Sequence, residues 1–133
     1  MIQYVDTGAG EYRPGVCNIG PAEIRRRRQI GYLGLAAAIA IAAVLLALDA
    51  PVWTRLLIAL PVAGALSAYI QAQTRFCAGF AMAGLQNMGE LGSETAIEDG
   101  AALAADRRKA MRIHAMSMAG ALAAGVAFAV LPL

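Results

Sequence analysis

Charge is missing from long parts of this 133-residue chain. Ile30–Leu48 and Ile113–Leu133 contain no Asp, Glu, Lys or Arg, and neither does Leu56–Thr74, whose apolar part ends at Ile70. A hydrocarbon layer of roughly 30 Å needs about 20 apolar residues per crossing helix. The first and third stretches meet that length, and the second reaches it if Gln71, Ala72, Gln73 and Thr74 lie among headgroups. Chemical motifs are scarce as well. There is one histidine, which excludes bis-histidine haem, and the two cysteines form no CxxC. No Walker loop, HExxH, GxSxG or acidic dyad within a span is present. Without an intramembrane acid, a proton-coupled transporter would lack its usual carrier. A secretory signal peptide is not expected, because some thirty polar residues precede a first apolar run too long for an h-region. These absences predict a protein that is not an enzyme, with no assignable cofactor.

What remains is apolar bulk and clustered arginine. Hydrophobic residues make up 59% of the chain, and mean hydropathy is +0.59. The predicted fold is an all-α integral membrane protein, one domain over residues 1–133. Its parts are a cytoplasmic tail at 1–21, transmembrane helices at 30–48, 56–74 and 113–133, and a cytoplasmic or interfacial connection at 76–109. Apart from Arg55, the basic residues gather at one face: Arg13, Arg25, Arg26, Arg27, Arg28, Arg75, Arg107, Arg108, Lys109 and Arg112. Positive loops stay in the cytoplasm. The chain is therefore expected in a bacterial cytoplasmic membrane, N-terminus inside and C-terminus outside. Arg25–Arg28 and Arg107–Lys109 read as membrane-surface residues, and nucleic acid is not an expected partner.

Local signals refine the outline. Gly8, Gly10, Pro14, Gly15 and Gly20 punctuate the tail and favour turns or extended chain. Pro21-Ala22-Glu23 has the form of a helix start. Asp49-Ala50-Pro51 turns the chain into a tight hairpin, with Trp53 in the interfacial aromatic belt. Pro61 predicts a kink in the second span. Phe76–Gly89 is apolar but too short to span, and is expected as an interfacial segment, a re-entrant segment or a helical continuation. Glu90–Asp106 reads as an acidic linker that becomes helical near Ile97. Small residues at four-residue spacing mark candidate packing ridges: Gly34/Ala38/Ala42, Gly64/Ala68/Ala72 and Ala115/Ala119/Ala123/Ala127. These ridges predict a compact bundle or one docked on a membrane-protein partner or a second copy.

Few residues offer chemistry. Cys17 and Cys77 fall on the same predicted face and are candidates for a thiol or persulfide relay or a soft-metal site, with Arg75 as a nearby cation favouring the thiolate. Packing of two small side chains is the competing explanation. His114, beside Met111, Met116 and Met118, is a candidate haem or pigment ligand, and the six methionines raise copper(I) against plain core filling. Asn18 and Asn87 are expected to tie backbone at helix ends.

One pattern resembles a known family. Cys17-Asn18-Ile19-Gly20, Glu23-Ile24 with the following arginines, a helix from Gly31, a hairpin, and Phe76-Cys77-Ala78 before Ala83-Gly84-Leu85 are similar to a small family of bacterial membrane domains. These occur alone or behind rhodanese (sulfurtransferase) domains. The likeness covers about residues 17–89 and matches Cys77 to the family cysteine. Ala78 stands where the family usually has proline, Cys17 has no counterpart, and the third span lies outside the pattern. The resemblance implies two spans and suggests sulfur chemistry. Two functions are thus expected: a non-catalytic accessory subunit of a larger membrane complex, such as an energy-converting one, or a cytoplasm-facing thiol protein handling sulfane sulfur or a soft metal.

Overall fold

The computed structural model describes residues 11–133; the turns expected at Gly8 and Gly10 lie outside the described residues. Helix α1 runs Pro21–Ala47, with Pro21 in its first turn as expected. Asp49 adopts a left-handed backbone (φ 51°) where the chain reverses. A 3-10 segment, Val52–Ile58, then leads into helix α2, Ala59–Thr74. Pro61 therefore falls in the first α-helical turn. The tighter 3-10 winding lies upstream of it, where the ring has the least ladder to disrupt.

Three helical stretches are long and apolar enough to cross a membrane: Pro21–Ala47, Val52–Thr74 and Gly100–Val130. Only 6% of the most apolar window of the first is buried inside the molecule, so most of its apolar surface faces outward. Helix α4, Gly100–Val130, begins at Asp99, whose carboxylate accepts from Ala102 N–H, and stops short of the predicted Leu133. Helix α2 packs against both α1 and α4. Within Phe76–Gly89 the chain forms a short helix α3, Ala78–Ala83, packed on α4 and separated from α2 by the left-handed turn at Arg75. It is followed by an antiparallel pair, β1 Leu85–Gln86 and β2 Thr95–Ala96, so the fold is mostly helical but not wholly so. Gly84 (φ 76°) makes the turn between α3 and β1.

Packing uses small residues, though not all those the spacing marks. Gly34 lies so close to α2 that a Cβ there would meet Ala65 Cα at 3.1 Å, and Ala38 and Ala68 are buried. Gly64 stays open. Helix α4 buries a different line from the one predicted: Ala110, Ile113, Ser117, Ala121, Gly125 and Phe128. Ala115, Ala119, Ala123 and Ala127 are exposed. They sit two positions along from the buried line, which is about 200° around a helix of 3.6 residues per turn. Ser117 completes the seam by donating to Ile113 O at 2.7 Å, keeping its hydroxyl satisfied where it is buried.

The two ends of the bundle differ in chemistry. At one, buried Arg55 donates to the carbonyls of Phe128 (3.3 Å), Leu131 (3.0 Å) and Leu133 (2.8 Å) and lies over the Phe128 ring. It closes the end of α4, whose last carbonyls lack helical partners. At the other end stand the arginine clusters and both cysteines.

Candidate thiol site

The arginine-rich end is assembled around Asn18, which is fully buried. Its side-chain oxygen accepts from Cys77 N–H at 2.6 Å, and its amide donates to Cys77 O at 3.0 Å. Asn18 N–H donates to Arg75 O, while Asn18 O accepts from Asn87 N–H at 2.9 Å. Asn87, also buried, accepts from Gly20 N–H through its backbone carbonyl and from Gly89 N–H through its side chain. The two asparagines therefore tie backbone at helix ends, as expected: Asn18 bonds Cys77, the N-cap of α3, and Arg75, the C-cap of α2, while Asn87 bonds Gly20, the N-cap of α1. Gly20 is needed here because a Cβ would run into the Met88 backbone.

This clamp presents the Cys77 sulfur to one cation. Cys77 caps α3 and accepts from Phe80 N–H at 3.4 Å, and Arg27 donates to its Sγ at 2.7 Å. The cation is Arg27, not Arg75, which turns the chain after α2 with a left-handed backbone and an exposed side chain. Arg27 also leaves the membrane-surface group to which it was assigned; Arg25, Arg26 and Arg28 remain exposed. The reason is helical phase. Glu23, Arg27, Gly31, Gly34 and Ala38 recur at three- and four-residue steps on the face packed toward the rest of the molecule. Arg27 bonds Glu23 at 3.1 Å and lies 5.5 Å from the Phe80 ring. A guanidinium donor pairs most strongly with an anionic sulfur.

Beside the sulfur opens a cavity of about 420 Å³, reached by Glu23, Arg26, Ser67, Gln71 and Glu94. Glu23 is only 1% exposed, and its Oε1 has no hydrogen-bond partner. A buried carboxylate oxygen without a donor is costly, and the Arg27 guanidinium on Oε2 offsets part of that cost. Gln71 bridges Ser67 and the Ala78 N–H, fixing the cavity wall.

The other candidates are placed apart. Cys17 is buried, and its thiol donates to Ile19 O at 3.5 Å. The two cysteines are free, and only Cys77 lines the cavity. His114 lies on the exposed face of α4. Among the described residues, no group of three or more His, Cys, Asp and Glu side chains is positioned for a metal ion.

A second polar cluster anchors the tail. Asp106 is fully buried and accepts from Tyr12 Oη (2.8 Å) and Gly15 N–H (2.6 Å). Burial first, and then the hydrogen bond to Asp106, push the Tyr12 phenol well above its ordinary range. Lys109 reaches from the next turn to Val16 O at 2.8 Å and lies 4.8 Å from the Phe76 ring centre, so it too is drawn off the expected surface group, whereas Arg107 and Arg108 stay exposed.

Glu23 and Asp106 are site residues that sequence patterning did not mark as such, and Arg27 was marked only as a membrane-surface residue. The signal for Glu23 and Arg27 was available: continuing the Gly34/Ala38 line back by seven and eleven residues reaches Arg27 and Glu23. The architecture is that of a mostly helical chain with three helices apolar and long enough for a membrane. Comparison with family models, curated proteins and solved structures finds no match to this chain.

Proposed function

We propose that this chain is a membrane-embedded thiol protein that carries sulfane sulfur on Cys77 at the cytoplasmic face. The observation that supports it is the Arg27 guanidinium 2.7 Å from Cys77 Sγ, beside a cavity with an unpartnered Glu23 oxygen. The Arg27 donor fixes the sulfur beside the cavity, and the thiolate is the form of cysteine that attacks as a nucleophile. In the proposed step, the Cys77 thiolate attacks the outer sulfur of a small persulfide. A new S–S bond forms as the donor's S–S bond breaks, the donor's thiolate departs, and no net oxidation occurs. The likeness of Phe76-Cys77 to membrane domains found behind rhodanese domains points the same way. Cys17 is a packed side chain in this reading, and soft-metal binding has no support from the donor set.

The test is persulfide labelling of detergent-solubilised protein exposed to a low-molecular-weight persulfide. Wild type and Cys17→Ser are expected to take up one sulfane sulfur, and Cys77→Ser none. Equal uptake by Cys77→Ser would overturn the reading.

One observation favours a non-catalytic accessory role instead: the uncovered Ala115/Ala119/Ala123/Ala127 line on α4, a surface on which another helix could pack closely. Purification in mild detergent separates the readings, since an accessory subunit would elute with a larger complex.

A further inference from the structure

A second cavity, of about 460 Å³, lies between α1 and α2 and is independent of the thiol site. Its floor is made of residues with little or no side chain, Gly31, Ala65 and Ala72. Gly34, one turn beyond Gly31, holds the two backbones together there. The walls are Tyr32 and Leu35 on α1, and Tyr69 and Leu66 on α2.

The groove is graded along its length. Arg28 and Gln73 stand at the arginine-rich end, one helical turn above Tyr32 and Tyr69 respectively, and the lining beyond is Leu35, Val62 and Leu66. From Arg28 to Leu35 the helix rises about 10 Å. Arg28 is exposed and, among the described residues, has no ion-pair or hydrogen-bond partner. Gln73 donates to Tyr69 Oη at 3.1 Å, so the phenol proton remains to be given to something else. An unpaired cation and a spare O–H donor therefore face one end of a narrow apolar slot that opens from the side of the molecule. The volume falls within the range of small-ligand sites.

We infer that this groove holds one anionic phospholipid, its phosphate on Arg28 and Tyr69 and one acyl chain along the Gly31/Ala65 floor. A lipid fits better than a second copy of the chain, because the unpaired Arg28 and the free Tyr69 O–H stand together at one end while the lining beyond them is apolar, which matches an anionic headgroup followed by its chain. The arginine cluster as a whole attracts any anionic headgroup; the groove instead gives Arg28 alone a fixed partner with a defined tail path.

The experiment reconstitutes the full chain into bilayer discs of phosphatidylcholine containing phosphatidylglycerol, then counts retained lipids by native mass spectrometry after mild extraction. One phosphatidylglycerol per chain is expected to be retained. Arg28→Gln should lower that retention roughly tenfold, the loss of one hydrogen bond to a charged group. Arg25→Gln, which removes an arginine outside the groove, should leave it unchanged. Equal retention of the two lipids, or equal loss in the two variants, would overturn the proposal. Displacement of the lipid by millimolar inorganic phosphate would also overturn it, because the site would then recognise phosphate without the chain. None of these readouts depends on Cys77.

Discussion

Asp106 shows how one buried side chain can anchor a turn that lies some ninety residues away in sequence. The turn at Arg13–Cys17 closes on its own backbone bonds, and both Gly15 N–H and Tyr12 Oη are satisfied by the same buried carboxylate. Asp106→Ala would leave these donors without a partner, at a cost of about 1–3 kcal/mol. Limited proteolysis at Arg13 is expected to accelerate in that variant while helix content, read by circular dichroism, stays the same. The pH dependence has a definite sign. The Tyr12 phenol is raised above its ordinary value of about 10, so folding favours its protonated form. The stabilisation is complete below that ordinary value and is lost as pH rises through the higher, folded-state value. Proteolysis at Arg13 should therefore increase in alkaline buffer in wild type but much less in Tyr12→Phe, which has no proton to lose.

At the scale of elements, the decisive feature is the closing of α4 by a side chain from the 3-10 segment. Arg55 is the one basic residue away from the arginine-rich end, and charge patterning alone leaves it unexplained. Its three carbonyl partners supply the reason: Phe128 O is one of the acceptors that the end of a helix leaves over, and Leu131 O and Leu133 O belong to the segment that follows it. Arg55→Met keeps most of the volume and removes the donors, and is expected to lower stability by about 1.5–3 kcal/mol, the range for hydrogen bonds to charged groups. Arg55→Lys should recover only part of the loss, because an ammonium presents its three N–H donors from one nitrogen, whereas Arg55 reaches these carbonyls from two. Thermal unfolding in detergent, followed by circular dichroism, checks both. The packing ridges teach a related lesson. A four-residue spacing marks which residues share a face, and Ala115, Ala119, Ala123 and Ala127 do share one. It does not say which face meets a neighbour. The buried line through Ser117 and Gly125 won because it lets α4 approach Leu56 and Ala59 closely.

At the scale of the whole molecule, three long helices place the arginine-rich end and the Arg55 end at opposite poles. With the arginine-rich pole read as cytoplasmic, a reporter active only outside the cytoplasm should work when fused after Leu133 and fail when inserted in the exposed turn at Gly92. The reverse pattern would invert the assignment of the thiol site to the cytoplasmic face. The ladder of uncharged stretches and arginines was legible in the sequence because solvent preference is a property of each stretch by itself: length and charge decide it before any packing occurs. The hairpin at Asp49 and the helix start at Pro21 were legible for the same reason, being local backbone chemistry. What only the tertiary structure decided is who meets whom. Cys77 meets Arg27 across 50 residues, and Asp106 meets Gly15 across 91. Four consecutive arginines are alike in the sequence. They differ once α1 is packed, because its 3.6-residue period turns Arg27 inward toward Cys77 and leaves its neighbours outside.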